Sequence, residues 1–316
     1  MKTLKLAVVG CGGIGQAHIR NAASLEGAKV AYCVDLNMER SAKAAELCKG
    51  TALDSMDKIP SDTDGVIVAA QPLAHYPIVK NLLEKNFNVF CEKPLTMKTS
   101  ECRELGVLAE RKGRVLMTGF KMRFEPVFRK AKELLPMIGK LIMLSSVKQQ
   151  PYSERPEYNW FPKVGAMFEL SVHDFDLIHW IAGIVPEKVL YANLSHRFGW
   201  ERDDAFALTV QYNNGVTGQL SGMYAKESSF MFKDITMMFL GEKGYMRVER
   251  PDRIIIHDTE TRVFEVDSSN ANAFLEEQKH YCAVLRGEEE NTLGAEAAAN
   301  ATFIADEAFK ISNMEK

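Results

Sequence analysis

The chain has 316 residues, 46% of them hydrophobic and 26% charged, with a formal net charge of −3. That length accommodates two domains, and that charge balance argues against a nucleic-acid or anionic-membrane binder. The six cysteines, Cys11, Cys33, Cys48, Cys91, Cys102 and Cys282, form no Cys-x-x-Cys pair, and several sit in apolar runs. Buried thiols in a reducing compartment are expected, not a disulfide framework. The apolar run Leu6–Cys11 is too short for a secretory h-region, and no stretch is long and apolar enough to span a bilayer. A cytoplasmic protein is the expectation.

Leu4 to Val9 is a short, β-branched apolar run and is read as a buried strand. Gly10-Cys11-Gly12-Gly13-Ile14-Gly15 follows, and then a helical pattern through Ala17, Ile19, Ala22 and Leu25. Strand, Gly-x-Gly-x-x-Gly and helix in that order form a dinucleotide-binding arrangement. The first glycine allows the tight turn, the second admits a pyrophosphate, and the third lets helix and strand pack closely. The helix N-terminus offers its N–H groups to the phosphates. Lys29 to Val34 reads as the next strand, and Asp35 ends it twenty residues past Gly15. A carboxylate at that spacing hydrogen-bonds ribose hydroxyls and repels a 2′-phosphate, so NAD is favoured over NADP. The plainer alternative for Asp35 is a turn or a cap for the helix Met38 to Leu47.

Gly65 to Ala70 is a further apolar strand, and Gln71-Pro72 opens a loop at its carboxyl end, where doubly wound sheets bind ligands. His75, at the start of the helix Tyr76 to Glu84, is placed on the cofactor side. Asn88 to Cys91 forms a strand that runs into Glu92-Lys93-Pro94. Proline holds Lys93 away from helical geometry at that strand's end. A lysine there suits proton transfer or the orientation of a substrate hydroxyl; the alternative is a solvated surface lysine.

Val115 to Thr118 is read as the last strand of the first domain, with the boundary between Thr118 and Arg123. The domains are therefore drawn as residues 1–120 and 121–316, leaving open whether the last helix packs back on the first. Pro126 to Leu135 is a helix and Lys140 to Gln149 a long strand. In the middle of the second half, Glu169, His173, Asp176 and Trp180 fall at i, i+4, i+7 and i+11, one stripe if the segment is helical from Glu169 onward, with Gly183 as the stop. Carboxylate, imidazole and carboxylate on a packing face are costly unless paired or functional. Strand patterns then dominate, from Lys188 to Val266, with Asn213-Asn214-Gly215 as a hairpin turn. They predict an antiparallel sheet with helices on one face. The other face, or its rim, is expected to be covered by self-association through Met223, Tyr224, Phe230, Met231, Phe232, Met237, Met238 and Phe239, with ordinary core the alternative for about half of them. Phe274 to Leu285 and Ala295 to Ile311 are read as amphipathic helices.

The Gly10–Gly15 motif, Asp35, Pro72 with His75, Glu92-Lys93-Pro94 and Glu169-x-x-x-His173-x-x-Asp176 together resemble the Gfo/Idh/MocA oxidoreductases, the glucose–fructose oxidoreductase and inositol dehydrogenase superfamily. Gly119-Phe120-Lys121-Met122-Arg123-Phe124-Glu125-Pro126 is also similar. The resemblance covers nearly the whole chain. It implies an α/β protein: an N-terminal Rossmann doubly wound parallel sheet and a C-terminal α+β domain with a large, mostly antiparallel, open-faced sheet. It implies catalytic roles for Lys93 and His173, with Lys93-Pro94 a cis peptide. Glu169 and Asp176 complete the catalytic set, orienting the imidazole or the substrate; many sugar and inositol dehydrogenases carry Asp where this chain has Glu169, which leaves open whether Glu169 acts directly or only orients its neighbours. The cofactor set is Gly10, Gly12, Gly13, Ile14, Gly15, Asp35, Gln71, Pro72, His75, Glu92 and Lys93. The resemblance also places the loop after the long strand beside the substrate. Lys93, Arg123, Tyr152, Tyr158, Asn159, Trp160, Lys163 and His173 are the substrate-side candidates. The expected activity is NAD-dependent hydride transfer at a hydroxyl carbon of a polyol, cyclitol, sugar or sugar derivative. Two alternatives stand beside it: a non-catalytic NAD-binding sensor, and an enzyme using tightly bound NAD for redox-assisted hydrolysis or elimination. No metal is expected, and a homodimer or homotetramer through the open sheet is.

Overall fold

The computed structural model describes residues 3–152, 159–226 and 233–314. Contacts divide the chain into two compact units, Met1–Lys121 with Asn272–Ala299, and Met122–Ala271 with Asn300–Lys316. The division falls one residue beyond the boundary read from sequence, and the segment beginning at Asn272 is added to the first unit.

The first unit is built on six strands: β1 (Leu4–Val9), β2 (Ala28–Val34), β3 (Thr51–Leu53), β4 (Gly65–Val68), β5 (Val89–Glu92) and β6 (Leu116–Gly119). All pair in parallel in the order β3-β2-β1-β4-β5-β6. That is the doubly wound order of dinucleotide-binding domains, with β1 at the switch point. Its strands are continuous apolar runs because both faces are buried: β4, β5 and β6 have no exposed position. Helices α1 (Gly13–Ala23), α2 (Met38–Cys48), α3 (His75–Glu84) and α4 (Thr99–Lys112) connect them, and α8 (Ala273–Arg286) returns to pack on α1. The short β3 was not legible in the sequence. Five of the six cysteines are buried, and all are free thiols.

The second unit opens with α5 (Pro126–Leu134) and holds eight strands: β7 (Leu141–Tyr152), β8 (Pro186–Ser195), β9 (Ala205–Tyr212), β10 (Thr217–Lys226), β11 (Asp234–Gly241), β12 (Gly244–Glu249), β13 (Arg253–His257) and β14 (Thr261–Glu265). Their order is β14-β13-β12-β11-β7-β10-β9-β8. Every pairing is antiparallel except β7 with β10, where the chain leaves the sheet to form α6 (Phe161–Ala166) and α7 (Val172–Ala182) before returning. Burial alternates along β7, β9, β10 and β11, as a sheet with one covered face requires. The covered face carries Leu144, Leu220, Tyr224, Met237 and Phe239, all buried. This corrects the expectation for Tyr224, Met237 and Phe239, whose alternation points them into the core; Met238, from the same set, is exposed, as is Leu240. Phe230, Met231 and Phe232 lie outside the described residues.

Segments that carry polar candidates are pressed onto the covered face. Gly222 of β10 is the contact point: a Cβ there would lie 2.6 Å from the Phe206 ring and 2.8 Å from the Ser171 hydroxyl. Only a residue without a side chain lets Ser171, just before α7, sit this close to the sheet. Gly222→Val is expected to lower stability by about 1–3 kcal/mol through overpacking. A fall in the urea midpoint with an unchanged slope is the reading that checks it; an unchanged midpoint would mean that the segment has room to move.

Candidate functional site

In the first unit the glycine motif has the geometry its spacing predicts. Gly10 has φ +92°, and a Cβ on it would lie 2.7 Å from the Ala69 backbone. A Cβ on Gly15 would lie 1.8 Å from the Gly10 carbonyl oxygen, so α1 and β1 meet there without room for a methyl group. Gly12 and Gly13 face open space, with nothing within 4 Å. No side chain caps α1, so its first N–H groups are left for a ligand. Asp35, at the end of β2, accepts hydrogen bonds from the Cys11 N–H (2.9 Å) and the Asn37 N–H (2.8 Å). It thereby ties the second strand to the glycine turn, and it still has lone pairs for ribose hydroxyls. The capping role is taken by Asn37, whose side chain accepts from Glu39 and Arg40. Ile14 and Gln71 are exposed, and Pro72 is buried at the start of a 3₁₀ turn, Pro72–Ala74. These residues fit a dinucleotide.

The Glu92-Lys93-Pro94 turn is locked from both sides. Lys93-Pro94 is a cis peptide. Glu92 accepts from the Lys93 backbone N–H (3.1 Å) through one carboxylate oxygen and meets His18 Nε2 (2.7 Å) through the other. Burial acts to raise the Glu92 carboxyl, but the hydrogen bond and charge of His18, with the Lys121 and Lys93 ammonium groups, outweigh it and hold it below its ordinary range. On the other side, the Pro94 carbonyl accepts from His75 Nδ1 (2.7 Å), and His75 Nε2 stands 3.0 Å from the Ala70 carbonyl. His75 is fully enclosed, and burial pushes its imidazole toward the neutral form. Its ring fixes the backbone under Lys93 and has no surface left to offer a cofactor. His18 and its α8 partner Gln278 (2.6 Å) escaped the sequence reading. The available signal was a histidine three residues past Gly15, on a helix that must pack.

In the second unit the stripe Glu169–Asp176 is not one α-helix. Met167–Ser171 is a π-helical turn, and α7 starts at Val172. The wider turn shifts Glu169 out of the α-helical phase, so the i, i+4 spacing from Glu169 to His173 does not describe their faces. Gly183 stops α7 in the left-handed conformation (φ 64°), as read from sequence. The two acids flanking His173 are both buried and both paired. Asp174 accepts from the Lys148 ammonium (3.0 Å), which reaches in from β7. Asp176 accepts from Arg123 Nε (2.8 Å) and also from Nη2. Burial raises both carboxyls and the cations oppose it. Arg123 is 5% exposed, so it is not a surface charge, and Asp176 is committed to it. His173 is itself only 7% exposed, on the same first turns of α7 that carry the two ion pairs.

Asp203 pins the π turn. Its carboxylate accepts from the Met167 N–H (3.0 Å) and its carbonyl from the Ala166 N–H (2.8 Å). Its other oxygen, Oδ1, is buried without a partner, and burial pushes the carboxyl up to about 7. Glu169, half-buried on this turn, lies near enough to Tyr224 for its charge, after burial, to raise the phenol. Tyr152 packs among Trp200 (ring centroids 4.9 Å apart), Phe161 (5.6 Å) and Tyr224 (5.9 Å). Asn159 and Lys163 are exposed and Trp160 is partly so, while Tyr158 lies outside the described residues.

The comparisons with known proteins agree with this architecture. Residues 4–120 match the model of an oxidoreductase family with an NAD-binding Rossmann fold, and residues 128–247 match the GFO/IDH/MocA C-terminal domain. The chain belongs to the GFO/IDH/MocA family. It is 27% identical over 263 residues, 80% of this chain and 69% of the relative, to 2,7-anhydro-N-acetylneuraminate hydratase of Mediterraneibacter gnavus. It is 28% identical to inositol 2-dehydrogenase of Corynebacterium glutamicum over 224 residues, 68% of this chain and 65% of that one. Among solved structures, an oxidoreductase from Agrobacterium radiobacter in complex with NAD+, L-tartaric acid and magnesium superposes with a TM-score of 0.88 at 16% identity, covering 100% of this chain and 98% of that one. No helix among the described residues is long and apolar enough to cross a membrane.

Asp176→Asn is expected to cost about 3–5 kcal/mol, because it removes the carboxylate from a buried guanidinium; Arg123→Met with Asp176→Leu is expected to cost less. Urea midpoints of the three proteins check this order. Asp203 is a raised acid. The folded state holds a proton that the unfolded chain loses near pH 4, so this contribution to stability declines as pH rises from about 4 to 7. Asp203→Asn removes that slope, and its urea midpoint is expected to gain on wild type between pH 5 and pH 8.

Proposed function

We propose that the protein is an NAD-dependent dehydrogenase for a polyol, cyclitol, sugar or sugar derivative. The observation that carries the reading is the locked Lys93 turn at the carboxyl end of β5, the edge of a parallel sheet where ligands bind. NAD, when bound, supplies the hydride acceptor. Gly12 and Gly13, with the N-terminus of α1, would hold its phosphates, Gly10 and Gly15 would let the turn and helix pack closely enough for that, and Asp35 would take the ribose hydroxyls; a carboxylate there, followed by Leu36 and no basic residue, favours NAD over NADP.

The remaining steps belong to side chains. His173 accepts the proton of the substrate hydroxyl as the C–H bond gives up its hydride. The Lys93 ammonium donates to that oxygen and stabilises the negative charge that develops on it. Asp176 with Arg123 and Asp174 with Lys148 hold the helix that carries His173, so their part is positional. Glu169 orients the substrate from the π turn. Asn159, Trp160 and Lys163 are candidates for substrate contact. The open face of the second sheet, with Met238, Leu240 and Val263 exposed, is the proposed surface for assembly into a homodimer or homotetramer.

A second reading rests on the hydratase of M. gnavus, a relative matched over 80% of this chain. In it the same residues use NAD that never leaves, oxidising the substrate transiently so that a group can be added or eliminated. Cofactor that co-purifies and does not exchange would favour it. The discriminating experiment follows absorbance at the wavelength of reduced cofactor with cyclitols, aldoses and sugar acids. Lys93→Ala and His173→Ala are each expected to lower kcat by about two orders of magnitude or more with NAD binding retained. Near-wild-type turnover in either variant would remove that residue's assigned role.

A further inference from the structure

The first unit encloses a second carboxyl group that the proposed reaction does not use. Glu277, on α8, is wholly buried, and neither of its carboxylate oxygens has a hydrogen-bond partner. It lies against the Lys93 clamp: ligand atoms of His18, Glu92 and Glu277 stand within 4.8 Å of one another. A small side-chain rotation or one water spans such a gap. Charged and titratable groups face it from three elements: His18 of α1, Glu92 at the end of β5, and Lys121 beyond β6.

Two charge states are possible for such a cluster, and the geometry separates them. A bound cation would need His18 and Glu92 as neighbouring ligands. Their 2.7 Å separation is that of a hydrogen bond and is shorter than the spacing of two donors around one ion with bonds of about 2.1 Å. The Lys121 ammonium already supplies positive charge there. The other solution is a proton. Two carboxylates this close in an enclosed site do not both ionise, and the one that lacks donors keeps the hydrogen. Glu92 has donors in His18 and the Lys93 N–H; Glu277 has none.

We propose that Glu277 is a positioning residue for Lys93: it stands as a neutral carboxylic acid that donates its proton toward the Glu92 carboxylate and so keeps Glu92 closed on the Lys93 backbone. Burial first, and the Glu92 charge second, push the Glu277 carboxyl well above its ordinary range, with Lys121 opposing. The proposal rests on the role assigned to Lys93, and its test separates the two.

Glu277→Gln keeps the shape and a donor but cannot ionise. Glu277→Leu keeps bulk and has no donor. An acid raised in the folded state stabilises at low pH and loses that contribution as pH rises through its folded value. The Tm of Glu277→Gln is therefore expected to climb relative to wild type between pH 5 and 9. Parallel curves would overturn the proposal. So would a wild-type Tm that drops on adding EDTA while that of Glu277→Gln does not, since that pattern identifies a bound cation. In turnover, Glu277→Leu is expected to lose about tenfold or more in kcat with KM for NAD little changed, and Glu277→Gln to restore most of it. Equal losses in both variants, or none in Glu277→Leu, would overturn it. Lys93→Ala run alongside keeps the readings apart: if turnover survives that change, the Lys93 role fails, and the Tm curves still decide whether Glu277 carries the proton.

Discussion

A carboxylate taken out of water must be met by donors or keep its proton, and this protein uses that rule to hold its irregular backbone. Regular strands and helices satisfy themselves through their own ladders. The pieces that carry the candidate chemistry do not. The cis turn at Lys93 is gripped by Glu92, and α7 is anchored by Asp174 to Lys148 and by Asp176 to Arg123. The π turn is pinned by Asp203, and the neighbouring strand connection by Asp204, which accepts from Arg197 (3.1 Å) and from the Phe198 N–H (2.6 Å). Breaking one such pair costs about 3–5 kcal/mol against a total stability of about 5–15 kcal/mol for an ordinary domain. The polar groups are thus a condition for the fold around them, as well as for any reaction there.

What could be read from sequence follows from how local each constraint is. Gly10 and Gly15 are demanded by contacts within a few residues or across one strand pair, and their motif was legible. The alternation along β9, β10 and β11 marked a sheet with one covered face. The parallel pairing of β7 with β10 was not legible, because it depends on where the chain returns after α6 and α7. The π turn was also hidden: one wider turn leaves the order of polar and apolar residues intact and changes only the faces they occupy. The stripe from Glu169 to Asp176 therefore looked like one surface when it is a turn followed by a helix. Asp176 looked like part of the catalytic set and Arg123 like a substrate contact, because nothing in their spacing says that they belong to each other; they are 53 residues apart.

The His18 clamp shows the same limit more sharply. Its members come from α1, β5 and α8, with His18 and Gln278 separated by 260 residues. A buried histidine next to a glycine motif reads as packing until its partner is placed beside it. Sequence can flag that a polar residue sits where it ought to be apolar. Only the folded chain says which distant group satisfies it, and so which residues are fasteners and which are left for chemistry. By that sorting, His75, Arg123 and Asp176 are fasteners, each held by partners from elsewhere in its unit.

Kinship and fold do not choose between a dehydrogenase and an enzyme that keeps its NAD, since one architecture supports both. The proton economy of the Lys93 clamp bears on that choice. Oxidising an alcohol releases a proton, so alkaline conditions pull the reaction forward. The same conditions favour ionising Glu277, which would set a second negative charge against Glu92 and loosen the turn that aims Lys93. If Glu277 holds the proton as proposed, an enzyme that exchanges its cofactor and runs toward oxidation would meet both effects at once, and its rate would have an upper pH bound set by a group that touches neither cofactor nor substrate. An enzyme that oxidises and then reduces within one catalytic cycle has no net proton to release in the redox step, and alkaline conditions give it no compensating pull. On the proposal for Glu277, the pH at which the clamp loosens would limit the rate of either chemistry without moving its equilibrium, and only the exchanging enzyme would have the alkaline pull on its equilibrium to set against that loss.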